Sequence, residues 1–154
     1  MNHDEFAART ESLKSRLYRT ALLYVGNETV AIDAVGESIY LALRSLRQLR
    51  QPEYFDTWIT RILINQCKKA LRHKQREQLW QTIPETACDQ YDALPLKEAI
   101  HSLPRELKEV VILRYFTGFT LAQTAQSLEI PQGTVVTRQR RALRLLKLEL
   151  SEEE

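Results

Sequence analysis

The sequence predicts an all-α protein of two small helical domains: a three-helix bundle, then a four-helix domain ending in a helix-turn-helix, joined by a flexible linker. Three observations predict it. Apolar residues recur at helical spacing along most of the 154 residues. That periodicity lapses over one long stretch, residues 75–93. Four glycines and five prolines punctuate a chain that is 44% hydrophobic and 27% charged, the make-up of a helix-rich globular protein rather than a disordered one. The expected boundaries are 1–74 for the first domain, 75–93 for the linker and 94–154 for the second domain.

The first helix is expected over 5–25, where Phe6, Leu13, Leu17, Ala21 and Val25 share a face widened by Tyr18, Leu22 and Tyr24. Gly26 suits the left-handed position after a helix, and Asn27 suits the N-cap of the next. The second helix, 28–47, carries the stripe Ile32, Val35, Ile39, Ala42, Leu43 and Leu46. Its opposite face carries Asp33, Glu37, Tyr40, Arg44 and Arg47. Gln51-Pro52 interrupts the pattern. A third helix over 53–74 is lined by Phe55, Trp58, Ile59, Ile62, Leu63, Cys67, Ala70 and Leu71. Three such helices with short connections make a bundle of about 70 residues, small but sufficient for a core.

Residues 75–93, QREQLWQTIPETACDQYDA, are polar and acidic and read as linker, with Trp80 and Ile83 able to dock on a neighbour. Order resumes with a short helix over 96–103. Pro104, suited to the first helical position, opens another that ends at Thr117-Gly118. Thr120 and Gln123 then form a T-x-x-Q capping box ahead of a helix through Leu121, Thr124, Ala125 and Leu128. Glu129-Ile130-Pro131 breaks that helix. The last helix starts near Gln132-Gly133-Thr134, with Val135, Ala142, Leu145 and Leu146 inside.

Net charge is only +2, so composition alone does not announce a nucleic-acid binder. Distribution does. From Pro131 to Lys147 there are five basic residues and no acid, and Thr57 to Arg76 holds six basic residues and no acid. Two separated cationic segments suggest two contact surfaces. A helix-turn-helix needs one bracing helix and a second with a polar, cationic face for a major groove and its phosphates. Gln132, Thr134, Val136, Thr137, Arg140, Arg141 and Arg144 point away from the inner stripe, with Thr137, Arg140 and Arg141 best placed for the groove. Arg138 lies nearer the stripe and suits a bracing role.

Enzymatic chemistry finds no purchase. His3, His73 and His101 lack partner spacing, there is no phosphate loop, and no carboxylate pair sits in an apolar setting. No cofactor or small-molecule substrate is expected. Cys67 and Cys88 stand alone, which indicates neither a metal site nor a disulfide framework. The polar, acidic first residues argue against a signal peptide, and no apolar run approaches a membrane span. A cytoplasmic protein is expected.

Taken in order, these segments resemble the extracytoplasmic-function sigma factors of bacterial RNA polymerase. LYRTALLYVGNETVAIDAVGESIYLALRSL is similar to the start of the family's region 2, where a GN-turn leads into a D-x-v-x-E helix. FDTWITRILINQCKKALRHK resembles its next segment through Trp58, Arg61, Ile62, Asn65 and Arg72. LPRELKEVVILRYFTGFTLAQTAQSLEIPQGTVVTRQRRAL resembles region 4 through Leu103-Pro104, Arg114-Tyr115-Phe116, Gly118, Ala125 and Gly133-Thr134-Val135.

The resemblance implies a protein that binds core RNA polymerase and directs it to promoter DNA, catalysing nothing itself. Region 2 would read and melt the −10 element, and region 4 would read the −35 element. Asp33, Glu37, Tyr40 and Arg44 would dock on the polymerase. Arg61, Asn65, Lys68, Lys69 and Arg72, with the loop 50–55 before them, would meet the opened −10 strand. Trp58 shares its side with Phe55 and Ile62 and is read as core. Gln132, Thr134, Val136, Thr137, Arg138, Arg140, Arg141 and Arg144 would serve the −35 element. An anti-sigma factor, commonly membrane-anchored in the family, is an expected partner. The rival reading is a stand-alone helix-turn-helix regulator, which would have no need of the bundle over 5–74. Three residues depart from the family pattern: Glu129 where Gly is usual, Val136 where a basic residue is usual, and Gly36 where Gln is usual.

Overall fold

The computed structural model describes residues 1–77 and 94–152. Of the stretch read as linker, 75–77 continue the third helix, and 78–93, with Trp80 and Ile83, lie outside the described residues. Seven α-helices run in order: α1 (His3–Val25), α2 (Glu28–Arg44), α3 (Phe55–Glu77), α4 (Leu94–Ser102), α5 (Arg105–Val111), α6 (Leu121–Leu128) and α7 (Gln132–Glu152). No strand occurs among the described residues.

The punctuation behaves as its chemistry dictates. Asn2 caps α1 by accepting from the Glu5 amide at 2.8 Å, two residues ahead of the expected start. Gly26 ends it in the left-handed region at φ 72°, its amide donating to the Leu22 carbonyl. Asn27 then caps α2 through Val30. Pro104 corrects an expectation: at ψ 144° it is the N-cap of α5, not its first helical residue. Beyond Val111 the helix widens into a π turn over Ile112–Phe116, closed by Thr117 N–H donating to the Ile112 carbonyl at 2.9 Å. Arg114 fastens the far side, donating to the Phe119 carbonyl at 2.6 Å and to Gln139 at 2.9 Å.

The inner face of α2 is only partly the one expected. Val35 and Ala42 are buried, and Ile39 and Leu46 pack half-buried against the core, but Ala31, Ala34 and Ser38 complete the face while Ile32 and Leu43 are 59% and 40% exposed. Small side chains let α2 lie close against α1 and α3, which gains more contact than a larger, more distant stripe would. Ser38 costs nothing inside, because its hydroxyl donates to the Ala34 carbonyl at 2.6 Å. The helix is therefore rotated, and it turns two large aliphatic residues outward.

Against α2 lie Leu17, Ala21 and Leu22 of α1 and Phe55, Ile59, Leu63 and Cys67 of α3, all buried. Trp58 is half-buried against this core, its ring 6.0 Å from that of Phe55. In the second half, α4 and α5 cross α7 around Ile100, Leu107, Val111, Val135, Ala142 and Leu146. The two halves also pack on each other, α3 against α6 and α1 against the π turn, so one apolar cluster runs through both.

Candidate nucleic-acid interface

The helix-turn-helix is α6, the turn 129–131 and α7. Thr120 opens it with a complete capping box: the Gln123 amide donates to Thr120 Oγ1 at 3.1 Å, and the Thr120 amide donates to Gln123 Oε1 at 2.9 Å. The turn is made by Glu129 in the left-handed region, φ 57° and ψ 45°, the one non-glycine residue with positive φ among the described residues. An L-residue there costs about 1 kcal/mol, which a glycine would not. The left-handed turn that glycine would favour is thus made with a less favourable residue.

On α7, Val135, Ala142 and Leu146 are buried as expected. Gln132, Thr137, Arg140, Arg141 and Arg144 are exposed, while Thr134 and Val136 are half-buried at the near edge of that face. Arg140, Arg141 and Arg144 make no ion pair among the described residues. Thr137 donates its hydroxyl to the Gly133 carbonyl at 3.0 Å, so it presents its methyl group more than a free donor. Arg138 faces Glu106 at 3.8 Å and braces α7 against α5. A cleft of about 620 Å³ lies there, between the start of α5 and the start of α7.

The basic face of α3 is arranged differently. Asn65, Lys69 and Arg72 are exposed. Arg61, though also exposed, pairs with Glu129 of the helix-turn-helix at 2.9 Å. Lys68 is half-buried and pairs with Glu109 of α5 at 3.4 Å. Two of the five cations and amides expected to meet the −10 strand are therefore held by acids from the other half. A second cleft, of about 400 Å³, opens beside Arg61. Leu49, Arg50, Tyr54 and Trp58 supply one wall, and Gln126 and Glu129 of the other half supply the opposite one.

The seam between the halves is hydrogen-bonded along its length. Arg16 Nε donates to the Thr117 carbonyl at 2.7 Å, and the Thr20 and Thr117 hydroxyls meet at 2.7 Å. Thr57 Oγ1 donates to Gln126 at 2.9 Å, and Ser127 donates back to the Thr57 carbonyl at 3.0 Å. Tyr24 Oη donates to Glu109 at 3.2 Å, while Lys108 donates to the Tyr24 carbonyl at 3.2 Å. Burial disfavours charge here. It pushes the Glu109 carboxyl above its ordinary value, against the pull of Lys68, and pushes the Lys108 ammonium below its own. The buried Cys67 thiol beside them is pushed up to about 12. Lys68 apart, none of these seam residues was singled out for a site by sequence; isolated threonines, a serine and a glutamine carry no periodic signal.

On the far side of the bundle, Asp33, Glu37, Tyr40 and Arg44 are all exposed, as expected. Ile32 and Leu43 join them, and the Arg44 guanidinium lies 5.6 Å from the centre of the Tyr40 ring. Gly36 sits in this band, with open space where a side chain would stand. The result is an apolar strip edged by charges of both signs. Among the described residues no cluster of acids, histidines or cysteines could hold a metal ion, and no helix is long and apolar enough to cross a membrane.

A helix-turn-helix with a cationic outer face, carried on a bundle with a second cationic helix, defines a two-module DNA-binding protein of transcription. Residues 10–77 match the family profile of sigma-70 region 2, and residues 99–148 match that of sigma-70, region 4. The RNA polymerase sigma factor SigV of Bacillus subtilis is 33% identical over 146 residues, spanning 92% of this chain and 88% of the relative. The chain belongs to the extracytoplasmic-function sigma factors of bacterial RNA polymerase. Its function is to direct the polymerase to promoters, and the stand-alone regulator is not favoured. The family is not known for catalysis.

Two solved structures share the fold. The sigma factor RpoE of Bartonella quintana, in complex with the anti-sigma factor NepR, superposes with a TM-score of 0.81 at 21% identity, covering 97% of this chain and 99% of that one. CnrH in complex with the cytosolic domain of CnrY superposes with a TM-score of 0.80 at 20% identity, covering 99% and 92%.

Proposed function

We propose that residues 1–74 dock on core polymerase and handle the −10 element, that 94–154 read the −35 element, and that 75–93 link the two. The observation that carries this reading is the pair of cationic helices, α3 and α7, on separate modules in the family's order. On α7, Gln132, Thr134, Val136, Thr137, Arg140 and Arg141 occupy the first turns, where a recognition helix meets base edges, and Arg144 lies further along, where it meets phosphate. Val136 and the Thr137 methyl are apolar partners for thymine methyl groups, so the preferred upstream sequence differs from one read by a basic residue at 136. Arg138 acts indirectly, by bracing.

Melting requires bases to be unstacked and held as single strand, which favours aromatic and cationic walls. The cleft walled by Arg50, Tyr54, Trp58 and Arg61 supplies both. Asn65, Lys69 and Arg72 continue from it along α3, and Lys68 joins them once freed from Glu109. The half-buried Trp58 thus serves the core with one edge and the cleft with the other.

The strip Ile32, Tyr40 and Leu43, edged by Asp33, Glu37 and Arg44, is the polymerase-docking face. Large exposed aliphatics ringed by charge are what a protein partner buries. The protein acts in the cytoplasm, where the polymerase is, and has no catalysis or cofactor of its own. An anti-sigma factor is a further partner, supported by the structural neighbour RpoE, which is captured with one.

Run-off transcription on a random promoter library with bacterial core polymerase tests this. The chain should yield promoter-dependent transcripts. Arg141→Ala should lose −35-dependent initiation while keeping core affinity. Absence of transcripts with every compatible core enzyme, or loss of core affinity in that variant, would sink the reading.

A further inference from the structure

We infer that Glu106 is a positioning residue for promoter binding: it holds the Arg138 guanidinium off the duplex and so limits how strongly α7 grips DNA, whatever the sequence. The inference rests on the reading of α7 as the −35 helix.

Three observations carry it. First, Arg138 stands apart from the other arginines of its helix. Arg140, Arg141 and Arg144 are exposed and make no ion pair among the described residues. Arg138 is half-buried, and its Nη2 lies 3.8 Å from Glu106 Oε2. Second, Glu106 stands on the DNA side of the module. It lines the same cleft as Thr134, Thr137 and Arg141, and it is the one acid among the residues that do. The chain itself places no acid between Pro131 and Lys147, so the fold brings one to that face from α5. Third, stability accounts for little of the pair. The Glu106 side chain is 64% exposed and the contact is a single long one, a geometry that adds little to folding.

An unpaired arginine at the edge of a recognition helix adds one phosphate contact and releases one counterion. Arg138 is neutralised by Glu106 instead. To reach a phosphate it must leave that carboxylate bare beside the negative charge of the duplex. Parting an exposed pair is easy, so the restraint is worth only a few-fold in affinity. Phosphate contacts carry no sequence information, so it acts alike on every duplex. Glu106 therefore adjusts the strength of the upstream grip and leaves its selectivity to the residues that meet base edges.

The test uses the full chain assembled with bacterial core polymerase. Two fluorescein-labelled duplexes are compared by anisotropy across a salt series: a promoter recovered from the run-off library, and a scrambled sequence of the same length. Glu106→Gln should tighten both by about two- to five-fold at low salt. It should also steepen the log–log salt dependence by about one, the mark of one more phosphate contact. In an Arg138→Gln background the same change should have little effect, because the group it releases is gone.

Unchanged or weaker binding by Glu106→Gln would overturn the inference. So would equal tightening with and without Arg138, which would make Glu106 a plain repulsive charge. Tightening confined to one of the two duplexes would make it a reader of bases, and would also end the account. Arg141→Ala separates these failures from that of the underlying reading. If Arg141→Ala weakens duplex binding and Glu106→Gln changes nothing, only the restraint fails. If neither variant alters binding, α7 is not at the DNA, and the −35 reading fails with it.

Discussion

The two cationic helices of this molecule differ in what faces them. The outer face of α7 shows Arg140, Arg141 and Arg144 to solvent, with no ion pair among the described residues. On α3, Arg61 and Lys68 instead meet Glu129 and Glu109 of the other module. Both helices were legible from charge alone, yet only one is presented ready to bind. The lesson is that an acid-free run tells where cations cluster, and the partner helix tells whether they are available. In this protein the arginines on the outer face of α7 are exposed, and two of the cations on α3 are paired with acids of the other module.

The largest expected effect sharpens that contrast at Cys67, on the covered side of α3. With its thiol pushed up to about 12 from an ordinary value of 9.0, the native thiolate fraction at pH 8 falls by about a thousand-fold. Iodoacetamide should modify Cys67 of a Cys88→Ser protein at least about a thousand-fold faster in urea than in buffer. Comparable rates would mean that the seam beside it is open most of the time.

Next comes Glu109, which serves Tyr24 and Lys68 and neighbours Lys108. Glu109→Ala leaves a half-buried ammonium and a buried one without their acid, and urea unfolding should register a loss of about 3 kcal/mol. The same carboxyl predicts a pH dependence. Burial raises it above 4.5, so the native chain holds that proton more tightly than the unfolded chain does. Its contribution to stability is therefore fully present below pH 4.5 and is lost as pH rises through the raised value. Glu109→Gln should flatten the stability profile across that window. An unchanged slope would assign the dependence elsewhere.

Smaller effects belong to the exposed face. Arg141→Ala should weaken binding to a −35 duplex by about ten-fold or more, read by fluorescence anisotropy at fixed salt. The same change should leave a single-stranded −10 probe untouched. Smallest is Glu129→Gly, which relieves the left-handed strain and should raise stability by about 1 kcal/mol in a urea titration of the isolated second module, provided that 94–154 folds alone. In the full chain the gain should shrink, because the Arg61 contact goes with the carboxylate.

Much of the fold was readable because its signals are local. Gly26, Asn27 and the Thr120–Gln123 box mark helix ends through hydrogen bonds only a few residues apart, and each stands where its chemistry demands. The orientation of α2 was not readable. A stripe of alanine and serine is weakly hydrophobic, so Ile32 and Leu43 outweighed it by size and were placed inside. The reverse is observed. The π turn at Ile112–Phe116 also escaped, because nothing in the spacing of ILRYF sets it apart from an ordinary helical turn.

For the site, residue type was legible and availability was not. Arg138 was read both as a −35 candidate and as the arginine nearest the inner stripe, and it lies 3.8 Å from Glu106. Lys68 and Arg61 were read from the same pattern as Lys69, and nothing in the pattern separates them. Glu129 stood out as a misfit in a turn, but its role depends on α3 lying within reach. That proximity joins residues 68 positions apart, and no periodicity encodes it.

The contrast between a ready helix and a covered one is tested most directly by a distance. Fluorophores placed at Lys69 on α3 and at Arg144 on α7, in a chain with Cys88→Ser, report the separation of the two modules by single-molecule energy transfer. The free protein should show one narrow high-transfer population, and adding core polymerase should replace it with a low-transfer one. A free chain already spread over low transfer, or an identical distance in the polymerase complex, would contradict the account.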